Sequence, residues 1–395
     1  MKLAILADDL TGACDTGIQF VEHGYQVHTR WQIEQLGLPT KDILAFSTTS
    51  RFHSAERAAS NVRDAHLKIV QSGHHLIYKK IDSTLIGNIG AEVDAVLERG
   101  PHLLAVVCPA FPRMGRRFVH GELLLGDTRY RSGQHLPTMI RDQSTHHCVE
   151  VSLNEVRQGG SILLDRLRQA ITTGTKVCCV DAEKETDLAH LAEALLALAP
   201  EVLPVGSAGL AAQLAKRFTG KIRNPASLID DGNIQTPLPE NTINPPDTPI
   251  ICFIGTTNPV TTQQLEQLKQ HTELVSICLD NQTPQQLRSA IRRGQHMAIR
   301  IPWENNSPEC WENIFTNLSA RTTAGLVFTG GDTAKMVCDM ARVNGIDLQQ
   351  QILPGLAKGC LIGGRLDGIT VVTKAGGFGD NDALLKVFTD LANKI

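Results

Sequence analysis

Short apolar runs of strand length alternate with segments of helical spacing through most of this chain. In the first half the apolar runs are Ala4 to Ala7, Asp42 to Phe46, Leu76 to Lys80, Leu103 to Cys108 and Val177 to Val180. The segments with helical spacing are Leu10 to Glu22, Ala55 to Val70, Ile89 to Leu97 and Leu188 to Leu198. Strands that alternate with helices predict βαβ units, so we expect an α/β fold with mostly parallel sheets. Only the basic, Gly- and His-containing stretch from Arg113 to His147 breaks the pattern, and we interpret it as an insertion or a substrate-facing excursion.

The second half repeats the alternation. Its predicted strands are Ile250 to Ile254, Leu274 to Leu279, Met297 to Ile301, and two that end at Phe328 and Thr373; its predicted helices include Thr262 to Lys269 and Pro284 to Arg293. A chain of 395 residues exceeds what one core usually supports. Residues 220–249 hold six of the 18 prolines, which suits an extended connection. We therefore predict an N-terminal domain over 1–219, a linker over 220–249, a C-terminal domain over 250–395, and a ligand site in the cleft between the domains.

The composition argues against several classes of partner. Aromatic residues make up 4% of the chain, too few for stacking on single-stranded nucleic acid, and a net charge of −3 gives no basic surface for a polyanion. Acids interrupt the first apolar run before it reaches signal-peptide length, and no apolar stretch reaches about 18 residues. We expect no nucleic-acid or membrane partner, a cytoplasmic location, and reduced cysteines, because the ten cysteines form no CxxC pair. The oligomeric state is left open, with a homodimer as one option.

Two adjacent acids, Asp8 and Asp9, stand where the first strand ends, and a third, Asp15, follows within the next segment. In an open α/β sheet, ligands bind outside the carboxyl ends of the strands. Acids at that edge can accept hydrogen bonds from sugar hydroxyls, take a proton or hold a metal ion. The alternative for Asp9 is a structural one, because Asp commonly caps the start of a helix.

Further polar side chains follow two other predicted strands. The segment YKKIDSTLIGN, Tyr78 to Asn88, places Lys80, Asp82 and Ser83 at one strand end, where lysine suits a substrate carboxylate or phosphate. Arg51 follows the strand that ends near Phe46, and its guanidinium can bind a carboxylate with two hydrogen bonds. A charged strand end and a solvent-facing arginine are the structural alternatives. A parallel sheet would bring all of these side chains to one edge, which favours a binding site.

Glycine-rich turns mark the C-terminal half. They are GTTNPVT (255–261), GGDTA (330–334) and KAGGFGDND (374–382), each between a predicted strand and a predicted helix. Glycine allows close backbone approach, and free N–H groups at a helix start bind phosphate oxygens. Each turn alone is commonly structural, but three in one domain point to a nucleotide polyphosphate. The standard phosphate-binding strings GxxxxGK[ST] and GxGxxG are absent.

The order of these motifs resembles that of the four-carbon acid sugar kinases, which are bacterial ATP-dependent kinases of D-threonate, D-erythronate and 3-oxo-tetronate. The strings that carry the resemblance are ADDLTGACDTG, SR at Ser50-Arg51, YKKIDSTLIGN, PAFPRMGR, GSAGLA, GTTNPVT, GGDTA and KAGGFG. They extend from Leu3 to about Leu385, and the combination of YKKIDST with KAGGFG is highly specific. The resemblance implies a substrate-binding N-terminal domain and a nucleotide-binding C-terminal domain.

The resemblance also implies roles for individual positions. In the first domain the substrate-contacting positions would be Asp8, Asp9, Arg51, Lys80, Ile81, Asp82 and Ser83. In the second, the ATP-contacting positions would be Thr256, Asn258, Gly330, Gly331, Asp332, Thr333, Gly376 and Gly377. Two departures stand out: Ile86 occupies the place of the family's usual arginine in STLRGN, and Thr256 and Asn258 replace serines in the GSxSPxT turn.

The activity implied is transfer of the ATP γ-phosphoryl group to the terminal C4 hydroxyl of D-threonate, D-erythronate or 3-oxo-tetronate. Asp9 and Asp82 are both candidates to orient or deprotonate that hydroxyl, and the sequence does not choose between them. Mg²⁺ is expected with ATP, without a dedicated metal site in the protein. Two alternatives remain: a sugar-acid or nucleotide sensor with weak or no turnover, suggested by Ile86, and a phosphohydrolase, for which adjacent Asp8 and Asp9 have the wrong spacing.

Overall fold

The computed structural model describes residues 2–38, 41–126, 128–130, 134–218, 248–302 and 307–393. These residues belong to two compact units, one within Met1–Asn224 and one within Pro225–Ile395. The predicted linker, 220–249, lies outside the described residues except for its last two positions. Among the described helices, not one combines the length and the apolar character that crossing a lipid bilayer requires.

The first unit is built on a parallel sheet. Its strands in chain order are β1 (Lys2–Ala7), β2 (Val27–Arg30), β3 (Ile43–Ser47), β4 (His74–Lys80), β5 (Leu104–Cys108), β6 (Arg116–Val119), β7 (Glu122–Leu125), β8 (Thr128–Arg129), β9 (Cys148–Val151), β10 (Val177–Val180) and β11 (Val202–Gly206). The order across the main sheet is β2-β3-β1-β4-β11-β5-β10-β9, and the neighbouring strands run parallel. Apart from β4, which carries two histidines and two lysines, the inner strands are apolar and buried, as expected for a sheet covered on both faces.

Helices connect these strands. They are α1 (Leu10–Val21), α2 (Ala55–Gln71), α3 (Ile89–Leu97), α4 (Leu136–Gln143), α5 (Leu153–Arg157), α6 (Gly160–Thr172), α7 (Glu185–Ala197) and α8 (Ala208–Arg217). The predicted break after Arg113 is confirmed: β6, β7 and β8 form a small antiparallel sheet, and α4 follows it. The predicted strands are found with bounds shifted by at most a residue or two.

The direction in which the chain moves across the sheet changes between β1 and β4. Helix α1 connects β1 to β2, toward one edge of the sheet, whereas α3 connects the adjacent β4 to β5, toward the opposite edge. Such a reversal opens a crevice at the carboxyl ends of the two strands, where ligands of open α/β sheets bind. Asp8 and Asp9 follow β1, and the segment beginning at Ile81 follows β4.

The strands of the second unit are also mostly parallel. Its strands are β12 (Ile250–Ile254), β13 (Leu274–Cys278), β14 (His296–Arg300), β15 (Gly325–Thr329), β16 (Gly345–Leu353), β17 (Leu356–Ile362) and β18 (Thr370–Lys374). Within the unit they are ordered β13-β14-β12-β15-β18-β17-β16, and only the pairs that include β17 are antiparallel. The helices are α9 (Pro259–His271), α10 (Thr283–Arg293), α11 (Pro308–Phe315), α12 (Gly331–Met340) and α13 (Ala383–Ala392).

A second reversal occurs between β12 and β15. Helix α9 leaves β12 toward β13, and α12 leaves the adjacent β15 in the opposite direction, toward β16. The turns GTTN and GGDT therefore stand at the crevice of this sheet. The prediction of an α/β fold with mostly parallel sheets is confirmed. The antiparallel hairpin of β16 and β17 was not predicted, because three consecutive glutamines interrupt its apolar pattern.

Candidate functional site

At the carboxyl end of β1, two carboxylates hold one guanidinium. Arg51 Nε donates to Asp8 Oδ2 at 2.8 Å, and Arg51 Nη2 donates to Asp8 Oδ1 at 2.8 Å and to Asp9 Oδ1 at 2.7 Å. Burial alone raises the pKa of Asp8, but Arg51, Lys79 and Lys80 outweigh it and the net pKa is lowered. Burial lowers the pKa of Arg51, yet the three neighbouring aspartates raise it well above its ordinary value. Asp8 and Arg51 are therefore both charged at neutral pH.

Asp9 has a structural role and an electrostatic one. It is the N-cap of α1: its Oδ1 accepts from the backbone N–H of Gly12 at 2.9 Å, and its Oδ2 accepts from Thr11 Oγ1 at 2.6 Å. The capping interpretation of Asp9 is thus confirmed, and it coexists with the ion pair to Arg51. A Cβ atom on Gly12 would lie 2.4 Å from Asp9 Oδ1 and 3.0 Å from Lys80 Nζ. Only glycine fits at this position, and it brings the carboxylate of Asp9 close to the ammonium of Lys80.

The two lysines at the end of β4 point to different partners. Lys79 Nζ is fully buried and forms a 2.7 Å ion pair with Glu92, whose other oxygen accepts from Ser50 Oγ at 2.5 Å. Lys80 Nζ lies on the other face, next to Gly12, and donates to Ile81 O at 2.8 Å. The alternation of side chains along a strand separates the two. Lys79 therefore pairs with Glu92 in the protein interior, whereas Lys80 belongs to the predicted substrate site.

The loop after β4 contributes Asp82 and Ser83. Asp82 Oδ2 accepts from Thr84 Oγ1 and, at 3.3 Å, from the backbone N–H of Ile86, while its Oδ1 accepts no bond from the described residues. Ser83 Oγ accepts from the buried guanidinium of Arg116, which reaches the loop from β6 of the small sheet. Ile81 is buried; its backbone N–H donates to Gly206 O at 3.0 Å, and its carbonyl accepts from Lys80 Nζ at 2.8 Å.

Asp15, in α1, is close enough to this cluster to interact electrostatically with Lys80 and Arg116. Its carboxylate is buried, and Asp15 Oδ1 accepts no hydrogen bond from the described residues. Burial raises the pKa of Asp15 to about 6, although Lys80 and Arg116 counteract this rise. A buried acid without a full set of donors is costly for the fold, and such groups concentrate at functional sites.

The backbone around the cluster is strained at two points. Thr49 and Leu85 adopt positive φ angles of 50° and 63°, which are uncommon outside glycine, and both are in loops at this edge. Gly87, with φ 116°, approaches Asp8 so closely that a Cβ atom would lie 3.3 Å from Asp8 Oδ2. Strain of this kind persists only where the surroundings enforce it, and it clusters at ligand sites.

In the second unit, all three glycine-rich turns meet. A Cβ atom on Gly376 would lie 2.4 Å from Thr256 Oγ1 and 3.4 Å from Asn258 Cβ, and one on Gly377 would lie 3.2 Å from Asn258 Nδ2. A Cβ atom on Gly330, where φ is 101°, would lie 3.7 Å from Thr256 Cβ. The predicted positions of the three turns are therefore adjacent within this unit.

Several polar groups of these turns lack a partner among the described residues. The buried hydroxyl of Thr333 makes no hydrogen bond there, and the backbone N–H groups of Gly376 and Gly377 donate to no described protein atom. Free N–H groups at glycine turns and at the start of a helix attract anions. Gly331 and Asp332 occupy the first turn of α12, with Asp332 exposed, and Asn258 caps α9 by accepting from Val260 N–H at 3.0 Å.

No cluster of three or more His, Cys, Asp or Glu side chains suited to a metal ion occurs within the described ranges. Their cysteines form no disulfides.

Comparison with known proteins gives these two sites a context. A family model described as a sugar-binding N-terminal domain matches residues 3–214, and one described as a nucleotide-binding C-terminal domain matches residues 281–384. The chain is 30% identical to a D-threonate kinase of Bordetella bronchiseptica, over 97% of this chain and 96% of that protein. The chain belongs to the four-carbon acid sugar kinase family.

Other relatives agree with this membership. A D-erythronate kinase of Heliobacterium modesticaldum is 28% identical over the whole of this chain and 98% of its own length. A Salmonella typhimurium LT2 protein of known crystal structure has the same fold, with a TM-score of 0.76 and 20% identity over 98% of this chain and 99% of that one. The prediction of a phosphotransferase of this kinase family, with ATP implied by its nucleotide-binding domain, is confirmed.

Within the family's sugar-binding region lie several residues that the sequence did not assign to the site. They are Gly12, Gly87 and Glu92, together with Asp15, which was noted without a role, and Arg116, which ends the motif PAFPRMGR. Gly12 follows the acid pair at helical spacing, so a close approach could have been inferred from the motif. Glu92 and Arg116 come from α3 and β6, and nothing in the local sequence indicates which strand end they face.

Proposed function

We propose that this protein phosphorylates the terminal C4 hydroxyl of a four-carbon sugar acid with ATP, and that D-threonate or D-erythronate is its substrate, with 3-oxo-tetronate as the third candidate. One observation carries the proposal: this chain of the family has a different kind of site at each of the two strand pairs where the chain direction reverses, β1 with β4 and β12 with β15. One has charged side chains suited to an acid with hydroxyl groups, and the other has glycine turns with unpartnered N–H groups suited to phosphates.

Lys80 and Arg51 would attract the carboxylate of the sugar acid. The bonds from Arg51 to Asp8 and Asp9 use Nε and Nη2, so Nη1 is the nitrogen that Arg51 would offer to the substrate. Ser83 and the carboxylates of Asp8 and Asp9 would bind its hydroxyl groups. Because Arg51 is already held by two carboxylates, little side-chain entropy would be lost when it binds, which is the advantage of a preorganised site.

Asp82 is the better candidate for the group that orients and deprotonates the acceptor hydroxyl. Both oxygens of Asp9 accept bonds within the protein, whereas Asp82 Oδ1 accepts none from the described residues. A general base must have an oxygen within reach of the proton that it removes. Asp82 would accept the proton from the C4 hydroxyl as the oxygen attacks the γ-phosphorus, and ADP would leave with the electrons of the broken bond.

In the second unit the residues fit a triphosphate. The unpartnered Thr333 hydroxyl and the N–H groups of Gly376 and Gly377 would donate to phosphate oxygens, and glycine at 376 leaves room beside Thr256. Mg²⁺ bound to ATP would neutralise charge on the phosphates. Because the described residues provide no cluster of acids for it, the ion would be held mainly by the phosphates and water.

The test is to incubate the purified protein with ATP and Mg²⁺ and, in turn, with D-threonate, D-erythronate, their L-isomers and 3-oxo-tetronate, and to measure ADP. We expect ADP release that requires one of these acids, and phosphorus NMR should locate the phosphate on O4. ATP-independent release of phosphate from a phosphorylated tetronate would instead identify a phosphohydrolase. Binding of both ligands without turnover would identify a sensor, the alternative that Ile86 suggests.

A further inference from the structure

Lys374, the last residue of β18, makes three hydrogen bonds from a fully buried ammonium. Its Nζ donates to Thr261 Oγ1 at 3.1 Å, to Ala375 O at 3.2 Å and to Gly376 O at 3.1 Å. These three acceptors match the three donors of an ammonium.

The same residue connects the three turns of the second unit. The carbonyl of Lys374 accepts from Gly330 N–H at 2.8 Å, which fixes the start of GGDT. Thr261, in the first turn of α9 after GTTN, donates its hydroxyl to Gly376 O at 2.8 Å as well as accepting from Lys374. Lys374 thus forms hydrogen bonds with residues of all three turns. The carbonyls of Ala375 and Gly376 point toward its ammonium group.

Among the residues that the structure describes, Lys374 has no oppositely charged side chain as an ion-pair partner. No described acidic side chain forms an ion pair with it, in contrast to Lys358 of the neighbouring β17, which is also buried but pairs with Asp390. Burial lowers the pKa of Lys374 to about 8, and the titratable side chain that bears on it is Cys252 of β12, whose pKa burial raises to about 12. An ammonium that is buried among neutral oxygens keeps a long-range attraction for anions, because neither water nor an acid screens it.

We propose that Lys374 is the positioning residue of the nucleotide site, fixing the KAGG turn through its carbonyls so that the N–H groups of Gly376 and Gly377 remain available to phosphate, and adding a positive charge behind them. This inference rests on the proposed role of the second unit in binding ATP. The lysine need not touch ATP, since its effect is transmitted by the turn and by its field.

The test measures ATP affinity by calorimetry without sugar acid, in wild type and in Lys374→Met, with Lys358→Met as the matched control. Lys374→Met should weaken ATP binding by about tenfold or more, equivalent to about 1.4 kcal/mol, and leave sugar-acid affinity unchanged. Lys358→Met should weaken the fold but not ATP binding. A folded Lys374→Met protein with wild-type ATP affinity would overturn the inference. Absence of ATP binding by the wild type would instead overturn the proposed function.

Two further measurements distinguish positioning by charge from a purely structural role. The ATP affinity of the wild type should decrease as the pH rises above about 8, where Lys374 loses its proton, whereas that of Lys374→Met should not change. Thr261→Val, which removes a partner of both Lys374 and Gly376, should weaken ATP binding by a smaller factor than Lys374→Met. A wild-type affinity that is constant to pH 9.5, or a Thr261→Val variant with unchanged affinity, would contradict the inference.

Discussion

The two units use the same architecture to build sites of opposite character. In the first, Asp8, Asp9 and Arg51 hold one another by side-chain ion pairs at the reversal between β1 and β4. In the second, the reversal between β12 and β15 is lined by glycines, hydroxyls and backbone N–H groups around the buried ammonium of Lys374. The crevice at a reversal point therefore determines where a ligand binds, while the loop sequences determine what it is.

This difference predicts different sensitivities to mutation. A site made of paired charges should respond to isosteric changes of charge, such as aspartate to asparagine. A site made of backbone groups should be most sensitive to added volume, because phosphate must approach the turn itself.

The largest effect is expected at Asp82. In Asp82→Asn the hydrogen bonds from Thr84 and Ile86 can persist, but the proton acceptor is lost, so kcat should fall by about 100- to 10,000-fold with little change in the KM for ATP. Steady-state kinetics with the preferred tetronate measure this.

Asp9→Asn is the matched comparison. Asparagine caps a helix as well as aspartate does, so the fold should persist, and the loss of the ion pair to Arg51 should mainly raise the KM for the sugar acid. If kcat falls further in Asp9→Asn than in Asp82→Asn, the base is Asp9 instead.

The second effect concerns volume in the nucleotide site. Because a Cβ atom at position 376 would lie 2.4 Å from Thr256 Oγ1, Gly376→Val should displace the turn and weaken ATP binding by at least about 100-fold, with sugar-acid binding retained. Titration of each ligand separately measures this. Gly37→Val is the control, since no described atom beyond the adjoining residues lies within 4 Å of a Cβ added there. Loss of sugar-acid affinity with normal ATP affinity would reverse the assignment of the two units.

The sequence predicted the strand ends of both sites well, because apolar runs and turn residues are local signals. It could not predict how charges pair across the sheet. Arg51 looked free to bind a substrate carboxylate, yet its guanidinium meets Asp8 and Asp9, some forty residues away in sequence. Lys79 and Lys80 are adjacent in sequence and both buried, and only their contacts in the fold show that one pairs with Glu92 while the other lies beside Gly12.

The third prediction concerns the stability cost of buried charge in the first site. The pKa of Asp15 is raised from 3.8 to about 6 in the folded protein, so the folded state binds more protons than the unfolded state between those values. The contribution of Asp15 to stability therefore decreases as the pH rises through this window. Asp15→Asn should be more stable than the wild type at pH 7.5, by at most about 3 kcal/mol, and the difference should shrink toward pH 4.

Urea denaturation at several pH values measures this difference. Because Asp15→Asn leaves Asp8 and Arg51 in place, their own titration contributes equally to both proteins and cancels. A variant that is less stable than the wild type at pH 7.5 would mean that ionised Asp15 gains more from Lys80 and Arg116 than it loses by burial.

The smallest effect is expected at Ile86, the position at which the resemblance to the family leads us to expect arginine. Lys79 cannot replace that arginine because Glu92 binds it, but Arg116 already brings a guanidinium to Ser83 in the same loop. Ile86→Arg should therefore raise kcat/KM for a tetronate by only about fivefold, near 1 kcal/mol, and Ile86→Gln, of similar length without charge, should not raise it.

A double-mutant cycle with Arg116→Gln sharpens this prediction. If Arg116 supplies the charge that Ile86 lacks, Ile86→Arg should improve kcat/KM more in the Arg116→Gln protein than in the wild type. The reason is that the free-energy effects of substitutions at two residues that bind the same substrate group are not additive. Equal gains in both backgrounds would show that the two positions act independently. An Ile86→Arg protein that is no better than wild type on every tetronate would show that isoleucine suits a substrate with a less charged group at this point.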